Sequence, residues 1–275
     1  MASGSVDRLA LRAASFAEDL SYVAMADFST LLEDTEGLAH RVIGGQMVMI
    51  LAARWNLGAD LYRATMDADL GVPPFVVKDH QIVERLLEAG YKQVAGDRFA
   101  RVVTQPSNIE GAPREATIDI LVPAYTSRAR ANKRVGDSLV ATEVLGLASA
   151  LKRTPVTMEM VMERLDGTTL AATLDFADEP SALVLKAYAT KARYRPTDHS
   201  DVWRCLEIAS AAGVKPEEFT EEEMARGAAI ARSNFAEKDG IGMSAIEDDL
   251  HLSAAAKIQI YTRIRALADR VLGVG

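Results

Sequence analysis

The sequence predicts an α+β chain, and three observations carry that prediction. Short β-prone runs alternate with helical segments through the first half. A strong turn signal at Asp166-Gly167 separates two runs of β-formers, Thr157 to Leu165 and Thr168 to Phe176. After Pro180 the apolar spacing is helical to the last residues.

The elements follow in order. Spaced leucines and alanines from Val6 to Leu32 predict one or two helices. Arg41 to Ile43 is a short β-prone run ending in Gly44-Gly45, with a helical segment from Gln46 to Trp55 behind it. Ala68 to Val72 alternates like a strand and is halted by Pro73-Pro74. Val76 to Ala89 reads as one amphipathic helix closed by Gly90. Tyr91 to Val94 and Phe99 to Thr104 are expected to pair across Gly96-Asp97, and Thr117 to Val122 forms a further strand. Ser181 to Arg193, Val202 to Ala212, Glu221 to Glu237 and Ser253 to Leu272 are the four predicted helices of the second half. The expected division is a core with N-terminal helices over residues 1–135 and a hairpin with a helical region over residues 136–275, with packing of that hairpin onto the first-half sheet as the alternative.

Composition bounds the partners. The 275 residues carry a formal net charge of −8, which excludes a broadly basic surface that coats nucleic acid. Two local basic clusters remain, Arg128, Arg130, Lys133 and Arg134 in one, Lys186, Lys191, Arg193 and Arg195 in the other. A single cysteine, Cys205, excludes an internal disulfide framework and fits a reducing cytoplasm. Met1 to Arg12 does not read as a signal peptide, and the longest apolar stretch, Met47 to Ala53, is far too short for a membrane span. The expected setting is cytoplasmic, with no membrane partner. His40, His80, His199 and His251 are scattered without metal-ligand spacing, so zinc is not expected.

One constellation carries chemistry. Asp67 and Asp69 lie two apart in a predicted strand, so both carboxylates point to one face. Like charges so placed repel, and a divalent cation removes that penalty. Magnesium takes oxygen ligands and leaves positions for water and phosphate, so two or three carboxylates suffice. Asp119, within Thr117-Ile118-Asp119-Ile120-Leu121, is the third candidate, because its strand is half buried and its carboxylate faces the open side. Three converging carboxylates can hold Mg2+ (or Mn2+) and neutralise the charge of a phosphoryl transfer. Gly44-Gly45 has a matching role, since a turn without side chains lets backbone amides at a helix start approach phosphate.

Gly-Gly, a helix, Asp-x-Asp and a later strand Asp, in that order, resemble the polymerase-beta-like nucleotidyltransferase superfamily. Arg63, Thr65, Asp67 and Asp69 further resemble the first acidic motif of its AbiEii branch, which includes toxins of toxin–antitoxin pairs. In that branch a lysine, an arginine and two aspartates follow downstream, and Lys186, Arg193, Asp198 and Asp201 stand here in that order. The resemblance spans Arg41 to Leu206. It implies a mixed-sheet core flanked by helices and a mainly helical C-terminal region. It implies an NTP substrate, Mg2+ at Asp67, Asp69 and Asp119, and Lys186 on the triphosphate. Arg63 then either braces the carboxylates or contacts phosphate, and Thr65 is either an outer support or a plain β-former. Asp198 or Asp201 fixes Lys186 or Arg193, or positions the acceptor. The acceptor hydroxyl belongs to RNA, a tRNA end as in the toxins, to a protein or to a small molecule, and a cognate antitoxin is an implied partner. A small-molecule adenylyltransferase of the antibiotic-modifying type and a non-catalytic binding protein are the competing readings. The chain departs from the pattern twice: the interval from Gly45 to Asp67 is longer, with Asn56 to Leu61 the extra segment, and Thr197 stands where a basic residue precedes Asp198.

Overall fold

The computed structural model describes residues 6–32, 38–58, 61–79, 81–103, 114–136 and 139–273. In chain order the elements are β1 (Asp7–Arg12), α1 (Phe16–Leu32), β2 (Arg41–Ile43), α2 (Gly44–Arg54), β3 (Asp67–Gly71), α3 (Pro74–Asp79) and α4 (Ile82–Glu88). Then come β4 (Lys92–Gln93), β5 (Arg98–Val103), β6 (Arg114–Pro123), β7 (Lys133–Val135), β8 (Leu139–Val144), α5 (Leu147–Lys152), β9 (Val156–Glu163) and β10 (Thr169–Phe176). The chain closes with α6 (Glu179–Ala192), α7 (Pro196–Ala211), α8 (Glu222–Asn234), α9 (Ile241–Leu250) and α10 (Ala254–Leu272). The class is α+β, a mixed sheet with flanking helices and then a run of helices. Among the described residues no helix is long and apolar enough to cross a membrane.

The chain forms two compact units, residues 1–49 with 63–177 and residues 50–62 with 178–275. In the first, the sheet runs β1-β9-β10-β2-β3-β6-β5-β4, with β8 beside β6 and β7 beside β8. Pairing is parallel at β1–β9, β10–β2, β3–β6 and β6–β8 and antiparallel elsewhere. Helix α1 packs on β3, β6 and β10. It buries Leu20, Val23, Met25 and Phe28, while Ala68, Leu70, Ile118 and Ile120 are buried on β3 and β6. Removing that much apolar surface from water holds this layer together, at about 25 cal/mol per Å². Since strand side chains alternate, the intervening residues of β3 and β6 project from the opposite face. On β9 the same alternation buries Met158, Met160 and Met162 as core.

Several elements differ from the sequence expectation, each for a physical reason. Residues 7–12 form strand β1 where helix was expected. Leu9 and Leu11 alternate with exposed Arg8, Ala10 and Arg12, a period of two, and pairing with β9 satisfies the backbone. The single helix over 76–89 is two, α3 and α4, because Gln81 adopts a left-handed conformation at φ 50 and breaks the helical path. The hairpin turn is longer than two residues. Gly167 N–H donates to Arg164 O, Gly167 sits at φ 80, and Asp166 Oδ1 accepts from Thr168 N–H at 2.8 Å. Strands β7 and β8 and helices α5 and α9 have no counterpart in the sequence reading. The hairpin, expected with the helical region, belongs to the first unit, because β9 pairs with β1 and β10 with β2. Thr104, His80 and residues 59–60 of the extra segment lie outside the described residues.

In the second unit α6 packs on α7 and α8, and α7 on α9 and α10. Gly227 of α8 lies so close to Val184 of α6 that an added Cβ would stand 2.5 Å from its side chain, so this approach requires glycine. Asp178 caps α6, accepting from Ser181 N–H, and Ser253 caps α10 through Ala256 N–H. Helix α10 buries Ile264, Leu267 and Leu272 and leaves Ile258 exposed. Cys205 is buried, and burial pushes its thiol pKa up, so it is a packed group and no nucleophile.

Candidate active site

The site grows out of the pairing of β3 with β6. Their parallel register sets Asp67 beside Thr117 and Asp69 beside Asp119. Asp67, Asp69 and Asp119 therefore share one face, the one opposite the side chains that α1 covers. A pair on β3 and a residue about fifty positions later on β6 are brought together by this register, and a one-residue slip of β3 would turn Asp67 and Asp69 to the buried face.

Gly44 and Gly45 sit at the start of α2, immediately after β2, which pairs with β3 through Ile43 and Asp69. Gly44 has φ 72, and a Cβ there would fall 1.7 Å from Asp69 Oδ2. The turn is thus glycine for two reasons, its left-handed backbone and the carboxylate lying against it. A Cβ on Gly45 would meet Thr65 at 2.9 Å and the Arg63 guanidinium at 3.1 Å. Buried Gln46 donates from Nε2 to the Thr65 carbonyl at 2.8 Å and ties the segment before β3 to α2. Gly44, Gly45, Arg63, Thr65, Asp67, Asp69 and Asp119 are consequently neighbours.

A residue to which the sequence analysis gave no weight sits at the centre. Arg98, the first residue of β5, lies opposite Asp119 in the antiparallel β5–β6 pair. Its Nε donates to Asp119 Oδ1 at 2.8 Å and its Nη2 to Asp119 Oδ2 at 2.7 Å, a bidentate fork. Nη2 also reaches Asp67 Oδ2 at 3.3 Å. Asp67 Oδ1 accepts from Thr117 Oγ1 at 3.0 Å. The bond to Asp119 and the fields of Asp119, Asp67 and Asp69 push the Arg98 pKa up, so it stays a cation at any working pH. The Gly96-Asp97 turn sets the β4–β5 pair, and nothing local in the sequence announces that residue 98 stands opposite residue 119 in β6.

In kind, the donors suit a divalent ion: three hard carboxylates on one face of two strands. As arranged, they close onto Arg98. Among the described residues no three His, Cys, Asp or Glu side chains are grouped so as to hold a metal. The expectation of three carboxylates converging ready for an ion is corrected to this extent, and the reason is the guanidinium between two of them.

Lys186, Arg193, Asp198 and Asp201 lie in the other unit and form their own ion pairs there. Lys186 Nζ donates to Asp201 Oδ2 at 2.7 Å, and Arg204 Nη1 donates to Asp201 Oδ1 at 3.0 Å, with all three side chains buried. Arg193 Nε donates to Asp198 Oδ2 at 2.9 Å. Asp198 is in the first turn of α7.

In overall structure the chain is similar to an antigenic nucleotidyltransferase-like protein from Paracoccidioides brasiliensis, at 13% identity and a TM-score of 0.44, covering 78% of this chain and 88% of that one. It is also similar to the antibiotic-resistance factor ANT(2'')-Ia, at 15% identity and a TM-score of 0.38, covering 85% of this chain and 98% of that one. No protein-family model matches the chain, and no curated protein matches it in sequence.

Proposed function

We propose that this protein is a metal-dependent nucleotidyltransferase that moves a nucleoside monophosphate from an NTP to a hydroxyl. The observation that carries the proposal is the register setting Asp69 beside Asp119, with Gly44 opened to receive the Asp69 carboxylate. A left-handed glycine turn lying against a carboxylate, and three carboxylates on one face, are both features for which a phosphoryl-transfer site has use. The acceptor oxygen bonds to the α-phosphorus and its proton is lost to a base or to water, while the bond from the α-phosphorus to the α–β bridging oxygen breaks and pyrophosphate leaves with its electron pair.

Asp67, Asp69 and Asp119 would hold Mg2+ or Mn2+, which supplies charge neutralisation on the phosphates. The chain's own groups do the rest. The glycine turn at the start of α2 admits the Asp69 carboxylate, and the amides of a helix start favour an anion. Thr117 orients Asp67 through its hydroxyl. Arg63, packed against Gly45, would brace the carboxylates or bind phosphate.

RNA is the proposed acceptor, with the protein acting as the toxin of a toxin–antitoxin pair. The reading draws on the exposed segment after β6, where Tyr125, Arg128, Arg130 and Arg134 face solvent and Lys133 lies 5.8 Å from the Tyr125 ring, with Arg130 and Lys133 paired to buried Glu143. Cations interleaved with an exposed ring suit a single-stranded backbone with a base to stack. The test is incubation with each labelled NTP, magnesium and total RNA, in parallel with an aminoglycoside. Label on RNA is the expected result. Label on the aminoglycoside alone would establish the antibiotic-modifying reading instead, and no transfer to either would overturn the enzymatic proposal.

A further inference from the structure

Resting on that reading of the carboxylates as metal ligands, we infer that Arg98 is a built-in counter-cation of the cluster, seated on Asp119 and Asp67 and displaced from them when a divalent ion binds.

Four carboxylate oxygens decide it. Both oxygens of Asp119 accept from Arg98, one oxygen of Asp67 accepts from Arg98, and the other accepts from Thr117. An ion needing oxygens from these two residues meets a guanidinium already making three of those contacts. Guanidinium and metal ion compete for the same lone pairs, so the affinity measured for the ion is reduced by the strength of the Arg98 contacts.

The surroundings allow Arg98 to leave without disturbing the sheet. Its side chain is partly exposed, so release returns the cation to water. The backbone beside it is fixed independently. Asp97 O accepts from Ile120 N–H at 2.8 Å, and Asp97 Oδ2 accepts from Thr142 N–H at 3.1 Å and from the Thr142 hydroxyl. The side chain moves and the strand stays. While seated, Arg98 relieves the repulsion among three carboxylates, which lets the cluster persist without an ion. When an ion arrives with a triphosphate, the freed planar fork meets a new anion of matching geometry. The arrangement therefore favours ion with nucleotide over ion alone.

Mn2+ binding, followed by its electron paramagnetic resonance signal on the folded protein without nucleotide, tests this directly. Charge-assisted bidentate contacts are strong enough that Arg98→Gln should bind Mn2+ about tenfold more tightly than the unmodified chain. Asp67→Asn should bind more weakly than the unmodified chain. Arg101→Gln, which removes a like charge from the other face of the same strand, should leave binding unchanged. Equal Mn2+ affinity with and without Arg98, alongside loss in Asp67→Asn, would overturn the inference and leave the metal site standing. A tenfold gain in Arg101→Gln would overturn it too, by showing that net charge alone is at work. Absence of binding in every variant, Arg98→Gln included, would remove the metal reading and this inference with it.

Discussion

Two of the clusters in which cations meet aspartates are built in opposite ways. In the second unit one carboxylate, Asp201, answers two cations, Lys186 and Arg204, with side-chain exposures of 1%, 7% and 3%. In the first unit one cation, Arg98, answers two carboxylates, with Arg98 42%, Asp119 14% and Asp67 39% exposed. Burial removes the alternative of water, so breaking the Asp201 cluster leaves a charge with nowhere to go. Water stands ready at the Arg98 cluster, so its contacts are exchanged at low cost. The Asp201 cluster is closed and dry, and the Arg98 cluster is open to exchange.

Mutations can break or sharpen that contrast. The largest effect is expected from Asp67→Ala or Asp69→Ala. Nucleotidyl transfer should fall by about 10³-fold or more, about 4 kcal/mol of barrier, while the melting temperature hardly moves. A variant that retained most of its rate in the labelled-NTP assay would remove the first-unit cluster as the site. Asp201→Ala should do the reverse. Denaturant unfolding should show a loss of about 3–5 kcal/mol, because Lys186 and Arg204 are left buried without their carboxylate. Lys186→Ala should cost less, since Arg204 still answers Asp201. If instead its dependence on NTP concentration changed while its stability did not, Lys186 would serve phosphate, as the family resemblance implies, rather than the fold. Gly44→Ala combines a disfavoured backbone with a clash against Asp69, so about 1–3 kcal/mol of destabilisation is expected together with lost transfer. Smallest is Arg8→Ala, which removes an exposed contact to Glu159 between β1 and β9. Less than about 0.5 kcal/mol should be lost in the same unfolding measurement, and a larger loss would mean that edge pairing depends on charge.

What the sequence disclosed follows the same division between local and distant causes. Asp67, Asp69 and Asp119 were legible because carboxylates on β-prone runs are chemically odd, and Gly44 because a glycine pair before a helix is a local signal. The ion pairing of Lys186 was not, since no local pattern tells a surface lysine from one that α7 will cover. Arg98 was illegible for a sharper reason. Its importance comes from standing opposite Asp119, and a cross-strand neighbour is fixed by register and not by spacing along the chain. The N-terminal strand was misread because six residues with two leucines fit a helix as well as a strand until a partner is known. That partner lies 151 residues away at the Arg8–Glu159 pair. Turn-fixed features such as the β4–β5 pair and the β9–β10 hairpin were readable in outline, and the left-handed Gln81 that splits α3 from α4 was not, since glutamine carries no preference for that conformation.

That distance has a consequence for synthesis. As the chain leaves the ribosome, β1 emerges first and then waits for β9, while β2 waits for β10. Residues 50–62 must also be held back for helices that start only at Glu179. Neither half can be completed from one uninterrupted stretch of nascent polypeptide, so pairing of this kind is slow and exposes unpartnered strand edges in the interval. Acquisition of protease resistance during translation should therefore come late and for most of the molecule at once.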